Sequence, residues 1–345
     1  MKNSVLNVGI VGLQHMHPRF YMSLFNSVKE TKVVSVAEGN TNLRKSFCKD
    51  FSVKGYRTLD EMLENEQLDM AALFLPHAEF PGDALKCARR KVHLMVDKPM
   101  AADAKGGKII LKAAKKHNVK LTTGYYFRLN HAAVEMKRII KSGKLGKLLG
   151  GEGRFLAPGV NRYIEGHSGW MLEKKKSGGG AMQNLGVHWI DMFRFLLEDE
   201  AVEASGRNIK INKKYDIEDL CLAQVKFSKG AVVSLNAGYT VPAAFKNTMG
   251  NKYFSMVGSK GMLYWGQTET GKNILVASTA SDYKVKKFDF NFHYMGREYI
   301  RAFADWILEG KKMFVTGEDG LNALKVVDAI YQSAKTNKWT KIKNK

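Results

Sequence analysis

The sequence predicts an α/β domain with a doubly wound parallel sheet over residues 1–123 and an α+β domain dominated by an antiparallel sheet over 124–345. Three observations predict this. The first 123 residues alternate short apolar runs with helical periods at the spacing of βαβ units. The rest changes texture, to segments of alternating hydrophobicity with fewer helices between them. Within the first half, the apolar run Val92–Val96 reads as a buried parallel strand and delivers Asp97-Lys98-Pro99 to its carboxyl end. Ligand crevices of open α/β sheets lie at such ends.

Taken in order, Val5–Val11 is a β-branched strand followed at once by Gly12. Pro18 opens a helix to about Val28, in the first turn, where a missing N–H costs nothing. Val33–Ala37 is the next strand and ends at Glu38. Helices over Thr41–Phe51 and Leu59–Asn65 precede an apolar strand, Met70–Leu75, that ends at Pro76-His77. A helix near Gly82–Arg90, the strand at Val92, a helix over Ala102–His117 and a strand at Leu121–Thr123 complete the pattern. The second half offers a helix at His131–Ser142 and strands at Leu148–Phe155, Val202–Ile211, Leu220–Phe227, Ala231–Tyr239, Phe254–Val257 and Met262–Trp265. Ser228-Lys229-Gly230 suits a hairpin turn. A flexible Ser177-Gly178-Gly179-Gly180 precedes a helix through Leu197, and helices at Tyr299–Glu309 and Leu321–Thr336 close the chain.

Composition narrows the function classes. The chain has 345 residues, 45% hydrophobic and 26% charged, as expected of a soluble globular protein large enough for two cores. No apolar run reaches the length of a membrane span, and Met1-Lys2-Asn3-Ser4 leads straight into a strand without a signal sequence. Cys48, Cys87 and Cys221 are scattered, so neither a disulfide framework nor a cysteine metal site is expected, and the compartment reads as cytoplasmic. The net charge of +22 comes from dispersed lysines with small clusters such as Lys174-Lys175-Lys176. That pattern reads as a solvated basic surface, with neither a nucleic-acid nor a membrane partner expected.

Strand, glycine turn, helix, strand, then a carboxylate is the layout of a dinucleotide-binding unit. Gly12 lets backbone N–H groups face a pyrophosphate, and Glu38 would accept from ribose hydroxyls while repelling a 2′-phosphate, so NAD is expected over NADP. The glycine fingerprint is altered: Gln14 and His17 stand where the second and third glycines would fall. His15 and His17 have an imidazole pair's spacing but no evident third ligand, so no metal is expected. On the middle helix Asn184, His188 and Asp191 fall at i, i+4 and i+7, one helical face, where His188 is the group able to exchange a proton near neutrality.

The order of Ile10-Val11-Gly12, Asp97-Lys98-Pro99, Gly124-Tyr125-Tyr126-Phe127-Arg128, Gly169-Trp170, Gly178-Gly179-Gly180-Ala181, Leu185-Gly186-Val187-His188, Val257-Gly258-Ser259-Lys260-Gly261 and Gly317-Glu318-Asp319-Gly320 resembles the glucose–fructose oxidoreductase / inositol dehydrogenase (Gfo/Idh/MocA) family, from Val8 to Trp339. The resemblance implies a Rossmann domain and a C-terminal domain with a large open sheet that pairs subunits as homodimers or homotetramers. It implies NAD(P)-dependent oxidation or reduction of sugars and polyols, with the family's catalytic lysine at Lys98 and its histidine at His188. Gly12, Leu13, Gln14, His15, Glu38, Leu75, Pro76, His77, Asp97 and Lys98 form the expected cofactor set. Tyr126, Arg128, Tyr163, His167 and Trp170 are the expected substrate contacts, Trp170 equally a packing anchor. The chain departs from the family at Asn184, where an aspartate is usual, at His77-Ala78-Glu79-Phe80 in place of Asn-x-x-His, and at His131 in place of a proline. An alternative reading, resting on Gln14 and Asn184, is a weakened ligand-binding or regulatory member.

Overall fold

A computed structural model describes residues 5–242, 251–267, 273–279 and 282–343. Met1 to Ser4, read above as leading into the first strand, lie outside them. The elements in chain order begin with β1 Leu6–Val11, α1 His17–Asn26, β2 Thr31–Ala37, α2 Thr41–Phe51, β3 Lys54–Tyr56, α3 Leu59–Asn65, β4 Met70–Leu73 and α4 Phe80–Arg89. There follow β5 His93–Val96, α5 Ala104–His117, β6 Leu121–Thr123, α6 His131–Lys141, β7 Leu148–Pro158, α7 Asn161–Glu165, α8 Lys174–Ser177 and α9 Val187–Leu197. The chain ends with β8 Ala201–Ile209, β9 Leu220–Phe227, β10 Val232–Val241, β11 Lys252–Gly258, β12 Gly261–Gln267, β13 Asn273–Thr279, β14 Asp282–Phe288, α10 Phe292–Glu309, α11 Gly317–Thr336 and β15 Thr340–Lys341.

The chain divides into two compact units, both discontinuous in sequence. The first comprises residues up to Tyr126 together with Asn161–Gly178 and Phe292–Leu321; the second comprises Phe127–Val160, Gly179–Asn291 and the residues from Asn322 onward. The two return segments carry no composition signal of their own, which is why a linear reading assigns them to the second half.

The first unit holds a six-stranded sheet in the order β3-β2-β1-β4-β5-β6, with every pairing parallel. Its centre is fully buried: Val8, Ile10, Ala71, Ala72, Leu73, Leu94 and Val96 have no exposed surface. Helices on both faces explain the unbroken apolar runs of β4 and β5, since a strand covered twice needs no polar side. Strand order reverses between β1 and β4, so the carboxyl ends of those strands open the crevice in which a Rossmann sheet takes its ligand. β4 stops at Leu73, two residues short of the expected end, and β3, three residues of Lys54–Tyr56, gave no apolar run to read.

The second unit holds a nine-stranded sheet in the order β14-β13-β12-β11-β7-β10-β9-β8-β15, antiparallel except where β7 pairs with β10. Ser228-Lys229-Gly230 turns β9 into β10 as expected, with Gly230 at φ +94°. β13 and β14 were not anticipated; in β14 five of seven residues from Asp282 to Phe288 are exposed, so its hydrophobic alternation is weak. Before α9 the chain makes a π-helical turn over Met182–Gly186, packed against β7 and β10. The extra residue in that turn breaks the α-helical register across it.

Candidate active site

The residues expected to hold a cofactor divide into two groups within the first unit. Gly12, Gln14, Glu38, Leu75 and Pro76 line one cavity of about 440 Å³, with Arg57, Asp83, Lys86, Trp170 and Lys176 among its other walls. Gly12 sits at φ +86°, and a Cβ there would lie 2.7 Å from the Phe74 carbonyl oxygen, so both the turn and the close approach require glycine. Glu38, 4% exposed, closes the turn: its carboxylate accepts from Leu13 N–H at 2.7 Å, Asn40 N–H at 2.7 Å and Gln14 Nε2 at 3.2 Å. Gln14 thus binds the strand-end carboxylate through its own amide. The Arg44 guanidinium donates to the Glu38 carbonyl oxygen, on the backbone rather than the carboxylate.

The second group gathers at the carboxyl ends of β1 and β5. His17 Nδ1 lies 2.6 Å from Asp97 Oδ2, and His15 Nδ1 lies 3.9 Å from the same oxygen. Burial raises the Asp97 pKa, but the His17 charge and hydrogen bond, with help from His15 and Lys98, more than offset it and hold the carboxyl well below its ordinary range. Burial lowers the Lys98 pKa to about 8; Asp97 opposes the fall and Arg162 adds to it. The Lys98–Pro99 peptide is cis. Burial pushes His15 well below its ordinary value and His77 down to about 4, so both imidazoles are neutral at pH 7. His77, where the family usually carries asparagine, donates from Nδ1 to the Ser177 carbonyl oxygen at 2.6 Å and so ties the Asn161–Gly178 segment to the sheet.

That segment carries three of the expected substrate contacts, and the structure treats them differently. Trp170 is 5% exposed; its indole N–H donates to the Gln14 carbonyl at 2.6 Å and its ring meets His77 edge-on at 4.8 Å, the geometry of an anchor over the glycine turn. Tyr163 is buried, and its hydroxyl accepts from Arg162 Nη2 at 2.8 Å. His167 is exposed, at φ +56°. Tyr126 is buried within the first unit, its ring 5.8 Å from that of Tyr299.

In the second unit Asn184 lies within the π-helical turn, whereas His188 and Asp191 both lie on α9, three residues apart on one helical face. Asn184 donates from Nδ2 to Tyr239 Oη at 3.2 Å. The His188 ring stacks on Phe127, centroids 4.6 Å apart and planes at 20°. Asp191 takes both forks of Arg128, Nε to Oδ2 at 2.9 Å and Nη2 to Oδ1 at 2.6 Å, so the guanidinium read as a substrate contact is held in a buried ion pair. His131 is the first residue of α6, a position that also tolerates proline, so this departure leaves the backbone undisturbed.

The glycines before the π-helical turn are clamped rather than flexible. Buried Glu218 accepts from the N–H groups of Gly180 (2.8 Å) and Met182 (3.0 Å) and from the Tyr331 hydroxyl (2.7 Å). A Cβ on Gly179 would lie 2.2 Å from that hydroxyl, and one on Gly180 2.3 Å from the Glu218 carbonyl. Close approach is what the glycines supply. Sequence reasoning also missed Lys252, whose ammonium lies 4.7, 4.5 and 4.7 Å from the ring centres of Phe127, Phe155 and Phe290, with burial lowering its pKa to about 7. The rings come from three distant segments, so no local pattern marks the cage.

Residues 6–125 match the family model for the oxidoreductase family, NAD-binding Rossmann fold, and residues 137–342 match that for the C-terminal alpha/beta domain of the same family. The chain is 22% identical to scyllo-inositol 2-dehydrogenase (NAD(+)) of Bacillus subtilis strain 168, over 94% of this chain and 91% of that one. It is 24% identical to levoglucosan dehydrogenase of Pseudarthrobacter phenanthrenivorans, over 98% of each. The aldose-aldose oxidoreductase of Caulobacter crescentus, solved with glycerol, shares the fold at a TM-score of 0.83 and 21% identity, over 98% of this chain and 99% of that one. Both halves of the architecture and both family models agree: the chain belongs to the Gfo/Idh/MocA family of oxidoreductases.

Proposed function

We propose that this protein is a nicotinamide-dependent dehydrogenase that moves a hydride between the cofactor and a sugar, polyol or inositol-like carbinol. The observation that carries the reading is the buried Lys98 ammonium at the end of β5, in the same unit as the glycine-turn cavity. The residues fit a dinucleotide: Gly12 gives the close backbone approach, and Glu38 ends β2 at the cavity. When bound, nicotinamide would supply the hydride chemistry. Lys98 would hydrogen-bond the reacting oxygen and stabilise its negative charge, and His188 would take the hydroxyl proton. Levoglucosan dehydrogenase and the inositol dehydrogenase among the relatives support a sugar or polyol substrate. Incubating the purified protein with NAD and a panel of sugars and polyols, and following nicotinamide absorbance, tests the reading; no turnover on any member would overturn it.

NAD preference rests on Glu38. Its buried carboxylate would meet a 2′-phosphate as a like charge, and the nearby Arg44 is turned to backbone carbonyls. NADPH is expected to bind about tenfold or more weakly than NADH, a difference of at least ~1.4 kcal/mol, in a fluorescence titration. Equal or tighter NADPH binding would contradict the assignment.

A homodimer or homotetramer built through the second unit's sheet is part of the same proposal. Leu222, Gln224 and Lys226 alternate outward along β9 and leave that face uncovered within the chain. Sedimentation at micromolar concentration should show no monomer. Among the described residues no helix is long and apolar enough to cross a membrane.

A second reading, a weakened or ligand-sensing member, draws on Asn184, whose amide is engaged by Tyr239. Asn184→Asp separates the two. A several-fold gain in oxidation rate, with a shifted basic limb of the pH profile, would mark a weakened dehydrogenase. We expect instead loss of activity with unchanged NAD affinity, the outcome if Asn184 contacts the substrate, since a carboxylate there carries a charge and no longer donates.

A further inference from the structure

We infer that His15, His17 and Asp97 form a binding site for a divalent transition-metal ion. The sequence supplies a His-x-His pair on the turn between β1 and α1 but no third ligand nearby. The fold supplies it from 80 residues away: β1 and β5 are separated only by β4, and all three strands end at the same carboxyl edge of the sheet. Among the described residues, this is where three such side chains bring ligand atoms within 4.8 Å of one another.

The geometry is close to what an ion needs. Metal–nitrogen and metal–oxygen bonds of about 2.0–2.2 Å allow ligand atoms to stand no more than about 4.2 Å apart across the ion. Here Asp97 Oδ2 lies 2.6 Å from His17 Nδ1 and 3.9 Å from His15 Nδ1. Closing the widest gap requires roughly half an ångström of movement. His17, with 29% of its side chain exposed, stands at the start of α1 and has room to give it. His15 Nδ1 now accepts the His17 N–H at 3.1 Å, and that lone pair would turn to the ion. The ion would also replace the hydrogen shared by His17 and Asp97.

Two imidazole nitrogens and one carboxylate oxygen suit Zn²⁺, Co²⁺, Ni²⁺ or Fe²⁺; Mg²⁺ and Ca²⁺ prefer oxygen-only shells. Three protein ligands leave coordination positions open to water or to an oxygen-bearing ligand. Trp170, whose ring centre lies 6.0 Å from that of His15, gives the site an apolar wall. The inference is independent of the dehydrogenase assignment, and its test uses metal binding without nucleotide.

The experiment titrates the metal-free full-length protein with Co²⁺, reading visible d–d absorption and bound metal after dialysis. One Co²⁺ per chain is expected, with a dissociation constant in the micromolar range or tighter. His15→Gln, His17→Gln and Asp97→Asn should each weaken it about 10–100-fold, while His293→Gln, at an exposed histidine, should leave it unchanged. Binding only at millimolar Co²⁺, or equal binding in all four variants, would overturn the site. A second measurement needs no variant: Zn²⁺ should protect His17 of the native protein, 29% of whose side chain is exposed, from carbethoxylation mapped on peptides. An unprotected His17 would overturn the proposal equally.

Discussion

Replacing Lys98 with alanine should lower kcat by about 10²-fold or more while changing nucleotide affinity far less, the loss typical of one positioned donor to a developing oxyanion. The residue is 8% exposed, so its ammonium acts where water screens it little. Its charge state sets a second expectation. Burial brings the pKa to about 8 against the partial support of Asp97. The ammonium is the populated form below that value and the neutral amine above it. A rate that depends on the donated hydrogen bond should therefore fall as pH rises through about 8, and that limb should vanish from the residual activity of Lys98→Ala. Steady-state kinetics across pH 6–10 on the substrate found in the panel checks both. Near-normal turnover in the variant would show that the end of β5 has some other task.

How far the sequence could be read is clear from particular residues. β5 and the turn at Gly12 were legible because each rests on local chemistry: an apolar run too short for a helix, and a glycine directly after a strand. The metal triad was half legible, since His15 and His17 are neighbours whereas Asp97 reaches them only through strand order. The Phe127–Phe155–Phe290 cage around Lys252 left no trace, because each phenylalanine alone looks like ordinary core. The shared face of Asn184, His188 and Asp191 was legible only in part: His188 and Asp191 share α9, while Asn184 sits in the turn before it. The projection assumed 3.6 residues per turn, and the structure inserts a π-helical turn at Met182–Gly186. Nothing in Met-Gln-Asn-Leu-Gly announces it; tertiary anchors do, with Glu218 holding Met182 N–H and Tyr331 holding Gln183 N–H at 3.1 Å.

Breaking the Arg128–Asp191 pair is expected to cost more stability than any surface change in the second unit. The two side chains are 6% and 3% exposed and are joined by two hydrogen bonds in fork geometry. Removing the carboxylate with Asp191→Ala leaves the guanidinium buried without its bidentate acceptor. The Arg194 guanidinium, whose Nη1 is 3.8 Å from Asp191, is already committed to Glu200 at 2.6 Å and 2.8 Å. The Phe195 face under Arg128, 5.3 Å from its guanidinium carbon, offsets only part of the loss. Cutting one partner from a buried pair costs about 3–5 kcal/mol, whereas replacing both by apolar groups of similar size costs far less. Asp191→Ala should lower the unfolding midpoint by roughly 10 °C for a unit of this size, and Arg128→Met with Asp191→Leu should recover most of it. The same pair of variants decides what Arg128 does. If it is the structural partner seen here, the double variant keeps its KM along with its stability. A KM raised tenfold or more, at a recovered midpoint measured by calorimetry, would return Arg128 to the substrate.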